Sequence, residues 1–272
     1  MHKVSILLAS GLILAGCGGD SDEGPSVGSS IRHYVPATGA TFHWQLQGTV
    51  NTGYDVDIYD IDLEDSTSDL IADLQAQGRR VICYFSAGSY EDWRGDAGDF
   101  PSAVLGNTLD GWEDERWLDI REQSVRDIML ARLDMAETKG CDGVEPDNVD
   151  GYSNDSGFAL TGADQLEYNR FLATSAHDRG LAIALKNDLD QIPDLVDDFD
   201  FAVNEECWEY EECDALAPFI EAGKAVLHVE YAESLVTDPV ARQAFCAELS
   251  GSGLSSAVLP EDLDDSFRYV CP

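Results

Sequence analysis

Two short stretches concentrate the groups that could move a proton or attack carbon. In Gly143-Val-Glu-Pro-Asp-Asn148 two carboxyls stand two residues apart. In an extended chain Glu145 and Asp147 share one face. Pro146 has no N–H for a sheet ladder, so it marks the strand end. Asp147 is then expected at the mouth of the fold, with Glu145 one layer lower. The second stretch is an apolar run that ends in Asn204-Glu205-Glu206. Adjacent acids take opposite faces, so one of them points inward, where burial and neighbouring acids raise its pKa. Lys186 closes the run between these two and could hold one carboxylate ionised. Two carboxyls near one bond suit glycoside hydrolysis: one protonates the leaving oxygen, and the other is nucleophile or base for water. Other chemistries have less support. There is no CxxC and no ligand spacing among the histidines. No metal or organic cofactor is expected.

The elements that must position these residues follow from the apolar pattern. Eight runs read as strands: Phe42–Gln47, Val56–Ile61, Val81–Phe85, Gly143–Asp147, Leu181–Lys186, Phe201–Glu205, Ala225–Glu230 and Ser256–Leu259. Most are short and bounded by charge, as in strands buried on both faces. Trp117–Ile120 is a further extended candidate. Helices are expected over Ser66–Gln77, Ser124–Thr138, Ala163–Arg179, Ala215–Ala222 and Asp238–Leu249, with Gly at or just beyond most of their ends. Eight alternations predict a single α/β domain over 31–272, a (β/α)8 TIM-type barrel, with a doubly wound open sheet as the alternative. No GxGxxG or GxxxxGK[ST] supports nucleotide binding. A barrel carries its site at the C-terminal strand ends. Those ends supply Asp60 and Asp62, then Tyr84 and Glu91, then Asn148, Asp150 and Tyr152. Lys186 and Asn187, Glu205 and Glu206, and Glu230 and Tyr231 follow. Carboxylates and aromatics on one rim are the inventory of a carbohydrate site.

Charge narrows the partner. Asp and Glu number 53 against 16 Lys and Arg, a formal net charge of −37. Such a surface repels nucleic acid and anionic lipid. It is a solubility adaptation, a field that attracts a cationic ligand, or both. Residues 1–17 read as a signal peptide. His2 and Lys3 precede an apolar stretch too short to span a bilayer, and Leu-Ala-Gly-Cys17 resembles a bacterial lipobox. The resemblance implies lipidation of Cys17 and an exported, membrane-anchored lipoprotein, at the cell surface or on the periplasmic face. Residues 18–30, rich in Gly, Ser and Asp, read as a tether. Six cysteines remain, and an even number in an exported chain suggests disulfides. Six cysteines allow 15 connectivities, so the pairing stays open; Cys207 with Cys213 is the first candidate, Cys246 with Cys271 would tie the C-terminus to the last helix, and Cys83 with Cys141 requires neighbouring strands. A monomer is expected.

At these residues the sequence resembles glycoside hydrolase family 114, the endo-α-1,4-polygalactosaminidases. The matching stretches are WQLQG (44–48), DIYDIDLEDS (57–66), VICYFSAGSYEDWR (81–94), ERWLDIR (115–121), CDGVEPDNVDGY (141–152), LKND (185–188), FAVNEECWEYEEC (201–213) and KAVLHVEY (224–231). The resemblance implies a (β/α)8-type barrel that cleaves inside chains of α-1,4-linked galactosamine in exopolysaccharide. It also implies a catalytic pair on Asp147, as nucleophile, and Glu205, as general acid/base, with Glu206 and Asp150 as near alternatives. De-acetylated galactosamine is cationic, so Asp60, Asp62, Glu91, Asp150, Glu206 and Glu230 are candidate contacts. Trp44, Tyr84, Tyr152 and Tyr231 are candidate stacking surfaces, and Glu145, Asn148, Lys186 and Asn187 complete the site. Two alternatives stay open: a hydrolase of another amino-sugar polymer, and a non-catalytic polysaccharide-binding lipoprotein.

Overall fold

Eight parallel strands follow one another around the sheet in chain order. The computed structural model describes residues 33–272. The signal peptide, Cys17 and the tether therefore lie outside the described residues. The strands are β1 (Phe42–Gln45), β2 (Ile58–Asp62), β3 (Arg80–Ser86), β7 (Gly143–Asp147), β8 (Ala182–Lys186), β9 (Phe201–Glu205), β10 (Val226–Glu230) and β11 (Ser255–Val258). A small antiparallel sheet of β4 (Ser89–Glu91), β5 (Leu105–Leu109) and β6 (Trp112–Leu118) is inserted after β3. Consecutive order is that of a (β/α)8 barrel and not of a doubly wound sheet. The outcome is a single α/β domain, with one correction to the expected closed barrel: no ladder joins β11 to β1. The free edge of β11 is taken by an antiparallel strand, β12 (Tyr269–Val270). The Cys246–Cys271 disulfide pins that strand to the last helix. The seam is bridged instead by the Leu263 carbonyl, which accepts from Leu46 and Gln47 N–H, and by Arg268, which donates to the Phe42 carbonyl at 2.7 Å.

The helices start and stop where their side chains can satisfy orphan backbone groups. In α1 (Ser68–Ala76) the Thr67 hydroxyl accepts from Leu70 N–H. In α3 (Gly162–His177) Thr161 and Asp164 form a capping box. The second helix, α2 (Gln123–Lys139), ends on Gly140 at φ 86°, a left-handed cap that residues with a Cβ avoid. Four shorter helices follow: α4 (Ile192–Leu195), α5 (Ala217–Glu221), α6 (Glu233–Thr237) and α7 (Pro239–Glu248). No described helix is long and apolar enough to cross a membrane.

Alternation along each strand divides two cores. Outward residues such as Tyr59, Ile61, Cys83, Val144, Ile183 and Leu185 pack on the helices. Inward residues Phe42, Ile58, Ile82, Ala182, Phe201 and Leu227 fill the lower interior. The Cys83–Cys141 bond ties β3 to the start of β7, and Cys207–Cys213 closes the loop after β9. The structure thus settles the open connectivity on the three candidate pairs.

Candidate active site

Above the apolar floor the inward positions become polar. Trp44 on β1 stands level with Asp60 on β2, and Tyr84 on β3 stands level with Glu145 on β7. One turn of the pleat higher come Asp147 on β7, Lys186 on β8 and Glu205 on β9. Lys186 is 2 % exposed, and its ammonium reaches three carboxylates: Glu145 at 3.1 Å, Asp147 at 3.1 Å and Glu205 at 3.2 Å. It also sits 4.7 Å from the centre of the Trp44 ring. Burial alone would lower its pKa, but the charges of Asp147, Glu145 and Glu205 prevail and hold it well above the ordinary lysine range. Each of the two upper acids has a tyrosine. Tyr84 donates to Asp147 Oδ2 at 3.0 Å, and Tyr231 donates to Glu205 Oε1 at 2.6 Å. Burial, followed by the adjacent carboxylate, raises both phenols well above their usual range, so they stay protonated donors.

Asp60 and Glu145 lie beneath this layer and are closed off from solvent. Burial pushes Asp60 up to about 7, against a smaller opposing pull from Glu145 and Lys186. Glu145 is raised further, first by burial and then by Asp60. Both shifts have one leading cause: the interior disfavours the charged form.

The upper acids are aimed by strained backbone. The residues after β7, β8 and β9 are left-handed: Asn148 at φ 60°, Asn187 and Asp188 at 49° and 45°, and Glu206 at 61°. Such conformations cost about 1–3 kcal/mol each and persist where their surroundings over-determine them. The surroundings here are specific. Asn148 N–H donates to Asp147 Oδ1 at 2.7 Å, while its side-chain amide donates to Ser86 and Ser89. Ser89 donates in turn to Glu115 at 2.6 Å. Asn187 donates to Glu205 Oε2 at 3.1 Å and accepts from Glu205 N–H at 3.0 Å. A Cβ on Gly88 would collide with the Asn148 carbonyl, so the turn after β3 needs glycine there.

The structure brings most of the sequence-expected residues to one groove of about 1280 Å³, lined by Trp44, Tyr84, Asp147, Asn148, Asp150, Lys186, Asn187, Glu205 and Glu206 among others. Tyr152 and Tyr231 line an adjoining recess. Asp150 is pushed up to about 6 by burial and then by Asp147. Other expectations are corrected. Glu230 does not face the groove. It shares the outer face of β10 with His228, accepts from His228 and from Trp208 N–H at 2.8 Å each, and is buried. Asp62 and Glu91 border the groove but are spent on Arg94, which takes Glu91 through two bonds and Asp62 at 2.8 Å. Asp60 is a floor residue and not a surface contact.

Sequence reasoning missed the wall built by β4, β5 and β6. It brings Glu115, Trp112 and Trp117 to the groove. Glu115 is pushed up to about 7, chiefly by burial. The signal was available: Asp110-Gly111, between β5 and β6, is a two-residue hairpin turn, with Gly111 at φ 84°. Asp188, which the sequence places at the same strand end as Lys186 and Asn187 without a role, is raised to about 8 by burial and then by Asp150. Among the described residues, the groupings with metal-ligand geometry lie away from the groove: Cys207, Cys213 and His228, whose sulfurs form a disulfide, and His33, His177 and Asp200.

A groove at the C-terminal ends of parallel strands, lined by carboxylates and aromatic rings, is the kind of site that glycoside hydrolysis uses, and comparisons with known proteins place the protein in that class. Residues 25–272 match the model of glycoside-hydrolase family GH114, and the chain belongs to that family. It is similar to Ega3 of Aspergillus fumigatus, solved in complex with galactosamine, with 43% identity and a TM-score of 0.84 over 88% of this chain and 98% of that one. The glycoside hydrolase domain of PelA from Pseudomonas aeruginosa shares the fold at 15% identity and a TM-score of 0.65, over 82% of this chain and 96% of that one. No curated protein matches the chain.

Proposed function

We propose that this groove cleaves within chains of α-1,4-linked galactosamine, with Asp147 as nucleophile and Glu205 as general acid/base. One observation carries the reading: a single buried ammonium lies within 3.1 Å of Asp147 and 3.2 Å of Glu205. The two oxygens are therefore no farther apart than the sum of those distances. That is below the roughly 6.5–9.5 Å of inverting pairs and compatible with the roughly 5–5.5 Å of retaining ones. In the first step an Asp147 oxygen bonds to the anomeric carbon as the glycosidic C–O bond breaks, and the leaving oxygen takes the Glu205 proton. In the second, Glu205 removes a proton from water, whose oxygen attacks the same carbon and releases Asp147. Tyr84, Lys186 and Asn148 N–H all donate to Asp147 and hold its carboxyl in one orientation at the groove.

The substrate class rests on charge and on likeness. Twelve carboxylates and two cationic side chains line the groove, a balance that attracts ammonium-bearing sugars and weakens with salt. The 43% identical Ega3 was solved with galactosamine. The groove exceeds the roughly 300–1,000 Å³ of a small-molecule site, which suits several sugar units and internal cleavage. Lipidation at Cys17 would hold the enzyme on a membrane next to exopolysaccharide.

The test is release of reducing ends by the full chain from partly de-acetylated galactosamine polymer beside chitosan, with Asp147→Asn, Glu205→Gln as blank. Release from the galactosamine polymer alone is expected, with the first product retaining the α configuration by proton NMR. Release from chitosan alone would transfer the assignment to another amino-sugar polymer. A β-configured first product would overturn the nucleophilic role of Asp147.

A further inference from the structure

At the opposite end of the strands from the groove, two imidazoles share one carboxylate. His33 Nε2 lies 2.7 Å from Asp200 Oδ1, and His177 Nε2 lies 2.9 Å from Asp200 Oδ2. The two rings stack, with centroids 4.2 Å apart and planes 11° from parallel. We propose that His33, His177 and Asp200 form a zinc-class metal site that clasps the segment ahead of β1 onto the N-terminal end of the strands.

Three features of the cluster suit a divalent transition ion. The first is the ligand set. One ligand atom from each residue lies within 4.8 Å of the other two, so a small opening of the stacked rings admits an ion among all three. Two imidazoles and a carboxylate leave a fourth, solvent position, and imidazole is a preferred ligand of zinc, copper and nickel. Solvent reaches that position, because the His33 and His177 side chains are 22% and 29% exposed. The second is support behind the ligands. Asp200 is buried and its carboxylate is fixed by Ile183 N–H at 3.0 Å, the kind of outer bond that orients a metal ligand. The third is the field. His177 is in the last turn of α3, where the negative end of the helix favours a cation, and the whole chain is strongly acidic.

The three ligands come from different parts of the fold. Asp200 immediately precedes β9, and His177 ends α3. His33 leads a segment that crosses the floor and pairs with the chain before β10. Ala37 bridges Lys224, Thr38 N–H donates to the Gly223 carbonyl, and Ala225 N–H donates to the Pro36 carbonyl. A metal there would fasten this segment to the body. His43 and His228 are buried elsewhere, the first against Gln45 and the second against Glu230 and Ser256. His2, in the expected signal peptide and outside the described residues, serves as a control in the unprocessed chain.

The experiment titrates chelator-stripped full chain with Zn²⁺ against a chromophoric competitor. One tightly held equivalent is expected. His33→Ala and His177→Ala should each weaken it by at least about tenfold, and His2→Ala should leave it unchanged. Both His→Ala variants should keep full reducing-end turnover, which shows that they fold. Co²⁺ should give a visible ligand-field band that the two variants lack. Zinc should slow proteolysis of the segment around Pro36 in the parent chain but not in the variants. Equal zinc affinity in the parent and both variants would overturn the proposal, because the ion would then sit on the general acidic surface. Absence of any stoichiometric uptake at millimolar zinc would overturn it as well.

Discussion

Two buried ion clusters stand beside the same groove and draw on the same acids, Asp and Glu, yet their cations differ and they are wired differently. Around Arg94 and Arg132 the carboxylates meet guanidinium forks. Arg94 takes both oxygens of Glu91 and one of Asp62; Arg132 takes both oxygens of Asp96 and the Ser86 carbonyl. Around Lys186 one ammonium is shared among Glu145, Asp147 and Glu205, with Asp60 nearby. A fork fixes geometry and uses up its partners' lone pairs. A shared point charge leaves an excess of acid that protonates readily. The contrast separates a cluster that holds the wall from one that does chemistry, although composition alone does not distinguish Glu91 from Glu205.

The sharpest way to break this comparison is to neutralise members of each cluster. Asp147→Asn or Glu205→Gln should each lower kcat by about 10²–10⁴-fold or more, while the thermal midpoint moves little. If Glu91→Gln did the same with the fold intact, the distinction between the clusters would fail. Removing the cations comes next. Lys186→Met leaves three carboxylates around an apolar chain, and about 3–5 kcal/mol of stability should be lost at pH 7, as read by urea unfolding. That loss should shrink on acidification, since protonation removes the uncompensated charge. Arg94→Met should cost a similar amount, but the folded fraction should keep its kcat.

A subtler effect concerns Asp60. Its carboxyl is raised to about 7 in the fold, from an ordinary value near 3.8. The folded state therefore holds this proton more tightly than the unfolded chain. The cost of ionising the group is absent below about pH 4, grows between about 4 and 7, and is constant above. Asp60→Asn should flatten the fall in thermal midpoint across that window, and an unchanged slope would place the titration elsewhere. The smallest effect is expected at the groove rim. Trp112→Ala removes a ring that is 43% exposed, and should raise KM on long polymer by about fivefold, roughly 1 kcal/mol, without changing kcat.

The sequence was most informative where apolar runs end in charge. The bounds read for β7 and β9 coincide with those observed, and Asp147 stands at the mouth with Glu145 a layer below. On β10 the alternation itself is plain, Leu227, Val229 and Tyr231 against His228 and Glu230, but it does not say which set faces inward, and the polar set proved to be the outer one. Closure was illegible for another reason. β11 reads as an eighth barrel strand, but which chain takes its far edge depends on β12, a two-residue strand held by a disulfide 25 residues apart. The wall of β4 to β6 escaped because Trp112–Leu118 carries the unbroken charged run Glu113–Arg116 between its tryptophans and was read only from Trp117 onward.

The left-handed residues after β7 and β9 also bear on attempts to engineer the enzyme. Glycine adopts φ near 60° without steric penalty, so Asn148→Gly and Glu206→Gly would relieve backbone strain beside the groove. A selection for heat resistance alone would be drawn to these two positions. At Asn148 it would delete the amide that links Ser86 and Ser89 to the Asp147 turn. Durability and turnover are in competition there, and a screen that scores both should find the gains in durability elsewhere, in the helices and surface loops.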